Sequence, residues 1–159
     1  MNLMRRFVLA LALFAIVLSL AGQTKDPLIG TWRLDLTKST FDPGPPPDGA
    51  RTMIFESMDN GFKHTMRTKT ENDGAFDVVL EYTAKYDGKD YKMDPESPLD
   101  TVSLKRIDAN TVERTGKTHG KVVETMTMKV SADGKTLTVT TMGNFQGDDY
   151  SSVQVFDRQ

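Results

Sequence analysis

The stretch Phe76-Asp77-Val78-Val79-Leu80-Glu81-Tyr82-Thr83-Ala84-Lys85-Tyr86 decides the fold. Read alternately, Phe76, Val78, Leu80, Tyr82, Ala84 and Tyr86 share one face. Asp77, Val79, Glu81, Thr83 and Lys85 share the other. Successive side chains of a strand point to opposite sides, so a period of two predicts a half-buried strand, here long enough to bend around a barrel. Asn72-Asp73-Gly74 precedes it and Asp87-Gly88 follows. Both suit tight hairpins, because Asn, Asp and Gly tolerate positive φ.

The pattern repeats on either side. After Gly61, Phe62, His64, Met66 and Thr68 alternate with Lys63, Thr65, Arg67 and Lys69. From Lys121, the apolar side is Val122, Met126, Met128 and Val130, with Glu124 among them. Leu137 and Val139 oppose Thr136, Thr138 and Thr140. Further turns are read at Asp59-Asn60-Gly61, Asp108-Ala109-Asn110 and Asp133-Gly134. Strands are expected at 31–37, 51–58, 62–70, 75–86, 89–93, 101–107, 111–116, 121–131, 135–142 and 150–157. Nothing after residue 21 combines a 3.6-residue period with helix caps. Sequential strands on tight turns favour up-and-down order, and closure removes exposed edges. The expected fold is all-β, an up-and-down antiparallel β-barrel of eight to ten strands, with a sandwich as the architectural rival.

Three segments break the alternation. The run Asp42-Pro43-Gly44-Pro45-Pro46-Pro47-Asp48-Gly49 cannot be a central strand, since its prolines lack donors. It reads as a stiff strap joining the first two strands, or as a lid over a barrel mouth. Residues 94–98 form a second rigid loop and 143–149 a third, more flexible one.

The first 21 residues differ from the rest. Arg5 and Arg6 precede an apolar run over 7–20, and Ser19-Leu20-Ala21 offers small residues at a cleavage site. That is the pattern of a secretory signal peptide, and the run is too short for a membrane span of about 20 residues. The expected organisation is a signal peptide at 1–21 and a single lipocalin-like barrel domain at 22–159. The protein is expected to be exported, to the periplasm or the medium, without stable membrane insertion after cleavage. Its net charge is −2, and it becomes more acidic once Arg5 and Arg6 are removed. This gives no electrostatic footprint for nucleic acid. Cysteine is absent, so burial and not disulfides must hold the domain together.

Two ends of the domain carry a family resemblance. Leu28-Ile29-Gly30-Thr31-Trp32-Arg33-Leu34 resembles the Gly-x-Trp opening of the lipocalin and fatty-acid-binding-protein (calycin) superfamily. Val153-Gln154-Val155-Phe156-Asp157-Arg158 is similar to the closing strand of fatty-acid-binding proteins. The whole is also similar to exported bacterial lipocalin-like proteins without assigned activity. The resemblance implies that Trp32 packs across the closed end of the barrel against a basic residue, either Arg158 or Arg33. It also marks departures. The family holds a carboxylate with an Arg-x-Tyr pair on the last strand, where this chain has Gln154 and Phe156. A further family arginine falls at Met128. The helical lid is replaced by the proline strap. Fatty acid is therefore not the ligand this sequence names.

The leading expectation is a binding module whose interior holds a small hydrophobic molecule non-covalently. Phe62, His64, Met66, Tyr82, Met126, Met128, Gln154 and Phe156 would line it, with His64 and Gln154 orienting any polar end. Alternatives are a filled barrel acting through its loops, and a barrel-mouth enzyme. The enzyme is the weakest, for there is no Cys, no Gly-x-Ser-x-Gly, no His-Glu-x-x-His and no phosphate-cradling loop. No cofactor or metal is called for. His64 is a lone histidine, His119 sits in a turn, and the Asp/Asn-Gly clusters lack calcium-loop spacing. Glu124 is expected to pair with Arg114 across a hairpin, and Arg106 sits near a bulge at Ile107.

Overall fold

The computed structural model describes residues 25–69 and 76–159. The expected signal peptide at 1–21 and the turn at 72–74 lie outside the described residues. Ten strands follow one another: β1 (Gly30–Asp42), β2 (Arg51–Met58), β3 (Gly61–Lys69), β4 (Phe76–Lys85), β5 (Tyr91–Lys92), β6 (Thr101–Asp108), β7 (Thr111–Thr118), β8 (Lys121–Val130), β9 (Thr136–Phe145) and β10 (Asp148–Arg158). They form one antiparallel sheet in the order β4-β3-β2-β1-β10-β9-β8-β7-β6-β5. Every pairing is between chain neighbours except β1 with β10, which joins the two ends of the domain. Between β4 and β6 the seam is held by the Asp87–Lys105 bridge and by Gly88 N–H donating to Leu104 O at 3.0 Å. The result is a nearly closed up-and-down antiparallel barrel, with no helix among the described residues.

Several strands depart from the expected bounds for local reasons. β1 runs on to Asp42 through a bulge between Asp35 and Thr40. Ser39 stitches that bulge: its hydroxyl donates to Asp35 O at 2.7 Å and accepts from Val155 N–H at 2.9 Å. The loop expected at 143–149 is instead the end of a long β9–β10 hairpin. Its two-residue turn is Gln146 (φ 56°) and Gly147 (φ 101°), held by Gly147 N–H donating to Asn144 Oδ1 at 3.0 Å. A left-handed glutamine is a rare turn residue, so composition did not announce this hairpin.

Bulges also shift which side chains face inward. Met66 pairs with Leu80 but Arg67 with Val78, so Val79 is an extra residue in β4. Val78, expected on the apolar face, is 54% exposed. In β8, Gly116 pairs with Glu124 and Lys117 with Val122, leaving Val123 as the extra residue. Val122, also expected inward, is 58% exposed. A bulge inserts one residue and so reverses the in–out phase beyond it.

The closed end is where the burial is most complete. Trp32, Phe55, Phe62, Leu104, Val112, Val130, Leu137 and Phe156 are all buried there. Trp32 donates its indole N–H to Leu28 O at 2.8 Å. Arg158, its register partner across β1–β10, lays its guanidinium 4.0 Å from the Trp32 ring. The same guanidinium donates to Gly134 O (2.6 Å), Ile29 O (3.0 Å) and Pro27 O (2.5 Å). Arg158, not Arg33, is the closing base. Gly30 makes room for it: a Cβ there would stand 2.6 Å from Arg158 Nη1, on a backbone with φ of 145°. The glycine of Gly-x-Trp thus clears the arginine that covers the tryptophan. Beside this clasp, Asp26 pairs with Arg106 and accepts from the Tyr86 hydroxyl at 2.5 Å, while Arg106 lies 4.1 Å over the Tyr86 ring.

Replacing Arg158 by Lys keeps the charge but loses the planar fork. Arg158→Lys is expected to lower unfolding stability by about 2–4 kcal/mol, the scale of charged hydrogen bonds and a desolvated cation–π contact. Urea unfolding should show a lower midpoint with an unchanged slope. A stability equal to that of the native chain would contradict this role.

Candidate ligand cavity in the mouth half of the barrel

Strand register sorts the inward side chains into rows. Across β10, β9, β8 and β7, Gln154, Val139, Met128 and Val112 lie in register, and the next inward set is Ser152, Thr141, Met126 and Arg114. Across β2, β3 and β4, Phe55, His64 and Tyr82 lie in register, and the next inward set is Met53, Met66 and Leu80. Arg51 and Glu124 lie one strand step further along β2 and β8, and both border the cavity. The change from apolar to mixed side chains marks the floor of the hollow part.

A cavity of about 750 Å³ occupies the mouth half. Met53, Met66, Val79, Leu80, Leu99, Val123 and Met126 supply its apolar wall. Arg51, His64, Arg114, Glu124, Thr141, Ser152 and Gln154 supply its polar side. The strap contributes Pro43, Pro45 and Pro47 at the rim, facing Ser97 and Pro98 of the second rigid loop. The strap therefore both links β1 to β2 and roofs the opening.

Of the eight residues expected to line a pocket, His64, Met66, Met126 and Gln154 border the cavity. Phe62, Met128 and Phe156 do not: they are packed into the solid lower half, at most 1% exposed. Tyr82 lies behind His64, with ring centroids 5.1 Å apart. Alternation names the lumen face but not the depth at which side chains stop filling it. Arg51 was not anticipated, although it begins the alternating set Arg51, Met53, Phe55.

The electrostatics of the polar side are unusual for a small barrel. Arg114, buried on β7, pairs through Nη2 with Glu124 on β8, as expected from the hairpin. Glu124 also accepts from the Tyr150 hydroxyl at 2.6 Å. The Tyr150 ring reaches that position by lying across Gly143, where a Cβ would meet it at 2.4 Å. His64 is stacked on Phe55 at 4.6 Å and is buried, so its imidazole is held neutral with a pKa lowered to about 3. Loss of solvation is the main cause and the Arg114 charge the second. Burial raises the Tyr82 hydroxyl, and Arg114, 5.8 Å from the Tyr82 ring, partly opposes that rise. No group of three or more His, Cys, Asp or Glu among the described residues is placed to hold a metal.

No protein-family model matches the chain. No curated protein sequence matches it. Solved structures do share the fold. The zebrafish ileal bile acid-binding protein complexed with cholic acid is 11% identical, with a TM-score of 0.53 over 84% of this chain and 99% of that one. A Schistosoma mansoni fatty acid binding protein in complex with arachidonic acid is 13% identical, with a TM-score of 0.54 over 84% and 96%. A secretory abundant heat soluble protein from Ramazzottius varieornatus is 10% identical, with a TM-score of 0.58 over 84% and 96%. At such identities the likeness is one of architecture, and it places this chain among calycin-type barrels by fold.

The neutral His64 has a consequence for acid stability. Its folded pKa of about 3 lies below its ordinary 6.5. Between those values the unfolded chain takes up a proton that the folded chain refuses. Stability therefore falls as pH drops below 6.5, by up to about 1.4 kcal/mol per pH unit, and this loss levels off near pH 3. His64→Gln should flatten that part of the stability curve. Parallel slopes for the two proteins, from urea titrations at several pH values, would show that His64 does not set it.

Proposed function

We propose that this chain is an exported barrel that holds a small hydrophobic molecule non-covalently in the mouth half of its lumen. The cavity of about 750 Å³ carries this reading. Ligand sites run to roughly 300–1,000 Å³, with mostly apolar walls and a few convergent polar groups. The wall residues Met53, Met66 and Met126 are flexible and polarizable, so they adapt to an occupant's shape. Burial of the occupant's apolar surface supplies the affinity, at about 25 cal/mol per Å² before the cost of association is met. Barrels of the same fold that bind cholic acid and arachidonic acid support the reading. The solid lower half limits the occupant to the upper rows. Export rests on the charged and apolar pattern of residues 1–21.

Uptake of the neutral fluorophore N-phenyl-1-naphthylamine should be saturable. Met66→Trp, which fills the cavity from a half-buried position, should weaken it by about ten-fold, or roughly 1.4 kcal/mol. Absence of saturable uptake by the native chain, or an affinity unmoved by Met66→Trp, would overturn the binding reading. Intact mass of the exported protein should place its first residue at Gly22.

A further inference from the structure

The cavity gathers soft donor atoms that a wall of leucine and valine would lack. Met53, Met66 and Met126 wall it on three strands, and His64 borders it beside them. Met53 and Met66 are register partners across β2 and β3, so their inward side chains stand opposite each other. His64 lies two residues before Met66, on the same face of β3. In the ten-strand order β3 and β8 are five places apart, which puts Met126 on the wall facing them. Inward side chains from the two sides meet here. Arg114, the register partner of Met126, comes to 5.8 Å from the Tyr82 ring, and that ring is 5.1 Å from His64.

His64 is the member of this group whose presence needs a reason. It is 1% exposed, and neither Nδ1 nor Nε2 has a hydrogen-bond partner among the described residues. A buried polar group without a hydrogen bond costs free energy, and an apolar side chain would pack on Phe55 without that cost. A neutral imidazole keeps one unprotonated nitrogen, which is a metal ligand. Thioether sulfur is a soft ligand that selects Cu(I). Methionine has three rotatable bonds, so its sulfur can swing toward a common centre. All four donors are uncharged, and the guanidiniums of Arg51 and Arg114 border the same cavity. Repulsion scales with the charge of the ion, so these cations oppose a divalent metal about twice as strongly as a monovalent one. Ligand softness and charge therefore point the same way.

We infer that the lumen binds a soft monovalent metal ion, Cu(I) or its analogue Ag(I), through the thioether sulfurs of Met53, Met66 and Met126 and one ring nitrogen of His64. The sequence presents His64 as a histidine without co-ligands because methionines at alternate strand positions read as core. The site needs no cysteine and no carboxylate, the donors by which metal centres are usually found. It goes beyond the apolar occupant proposed above and does not depend on it, although both use the same cavity.

Silver nitrate in chloride-free buffer is the probe, because Ag(I) matches the softness and charge of Cu(I) and does not oxidise in air. It is titrated into the full barrel with carbon-13 in the methionine methyl groups, and the methyl and imidazole resonances are followed. The signals of Met53, Met66, Met126 and His64 should move together and saturate at one ion per chain. Those of Met142, which is 61% exposed on the outer wall, should stay in place. Zinc nitrate should move none of them. Met66→Leu conserves volume and keeps the fold, with the emission of Trp32 as the check on folding. It should weaken Ag(I) binding by at least about ten-fold, the smallest loss found when even an outer partner of a metal ligand is removed. His64→Leu should do the same, and Met142→Leu should change nothing. Shifts confined to Met142 and other methionines outside the cavity would overturn the site. So would native-like affinity in both Met66→Leu and His64→Leu, and an equal response to zinc would overturn the soft monovalent class. Uptake of N-phenyl-1-naphthylamine by the metal-free protein is read separately. Uptake without Ag(I) binding overturns this inference alone, and Ag(I) binding without uptake overturns only the apolar-occupant reading.

Discussion

The stacking of Arg158 on Trp32 holds the two ends of the domain together, and the barrel depends on that junction. Among the described residues, β1 and β10 are the only paired strands that are not chain neighbours. All other pairings are local hairpins, which an open sheet would also contain. The Arg158 guanidinium covers the Trp32 ring and ties down the carbonyls of Pro27, Ile29 and Gly134, at the start of the domain and in the turn before β9. In a chain without cysteine, this junction does what a disulfide does in many exported domains of similar size. It constrains long-range closure and fixes which end of the cylinder is solid.

From that end the lumen changes character row by row. The lower side chains are aromatic or apolar aliphatic and fill the space between the walls. At the Arg114 row the interior becomes mixed, and above it a cavity opens. The two bulges, at Val79 in β4 and Val123 in β8, both lie in this upper half and both turn an extra valine toward the cavity. Bulges are common where a barrel wall must bend away from regular pleating, and here they shape the mouth.

The upper half trades stability for chemistry. An Arg–Glu pair inside a small barrel carries a desolvation cost that an apolar pair of the same volume would not. A neutral histidine wedged between Phe55 and Tyr82 makes the fold sensitive to acid. A core built for stability alone would have neither. Their concentration around one cavity, while at the opposite end each guanidinium nitrogen of Arg158 donates to a carbonyl, separates a closed half from a hollow one.

By itself the chain determined a great deal. Strict alternation, with Asn-Gly and Asp-Gly between the runs, specified antiparallel hairpins in up-and-down order, because a period of two and a left-handed turn are local properties of the backbone. Gly30, Trp32 and Arg158 stood out for the closed end, and Arg114 with Glu124 as an internal pair. Tertiary structure alone decided the rest. How far down the lumen is filled depends on side chains from six or more strands meeting at one height, which no single strand encodes. That is why Phe62, Met128 and Phe156 proved to be floor and Arg51 proved to be wall. The bulges at Val79 and Val123 and the hairpin at Gln146-Gly147 were hidden for a related reason. Each is set by register against a neighbour, and one extra residue reverses the face of everything beyond it.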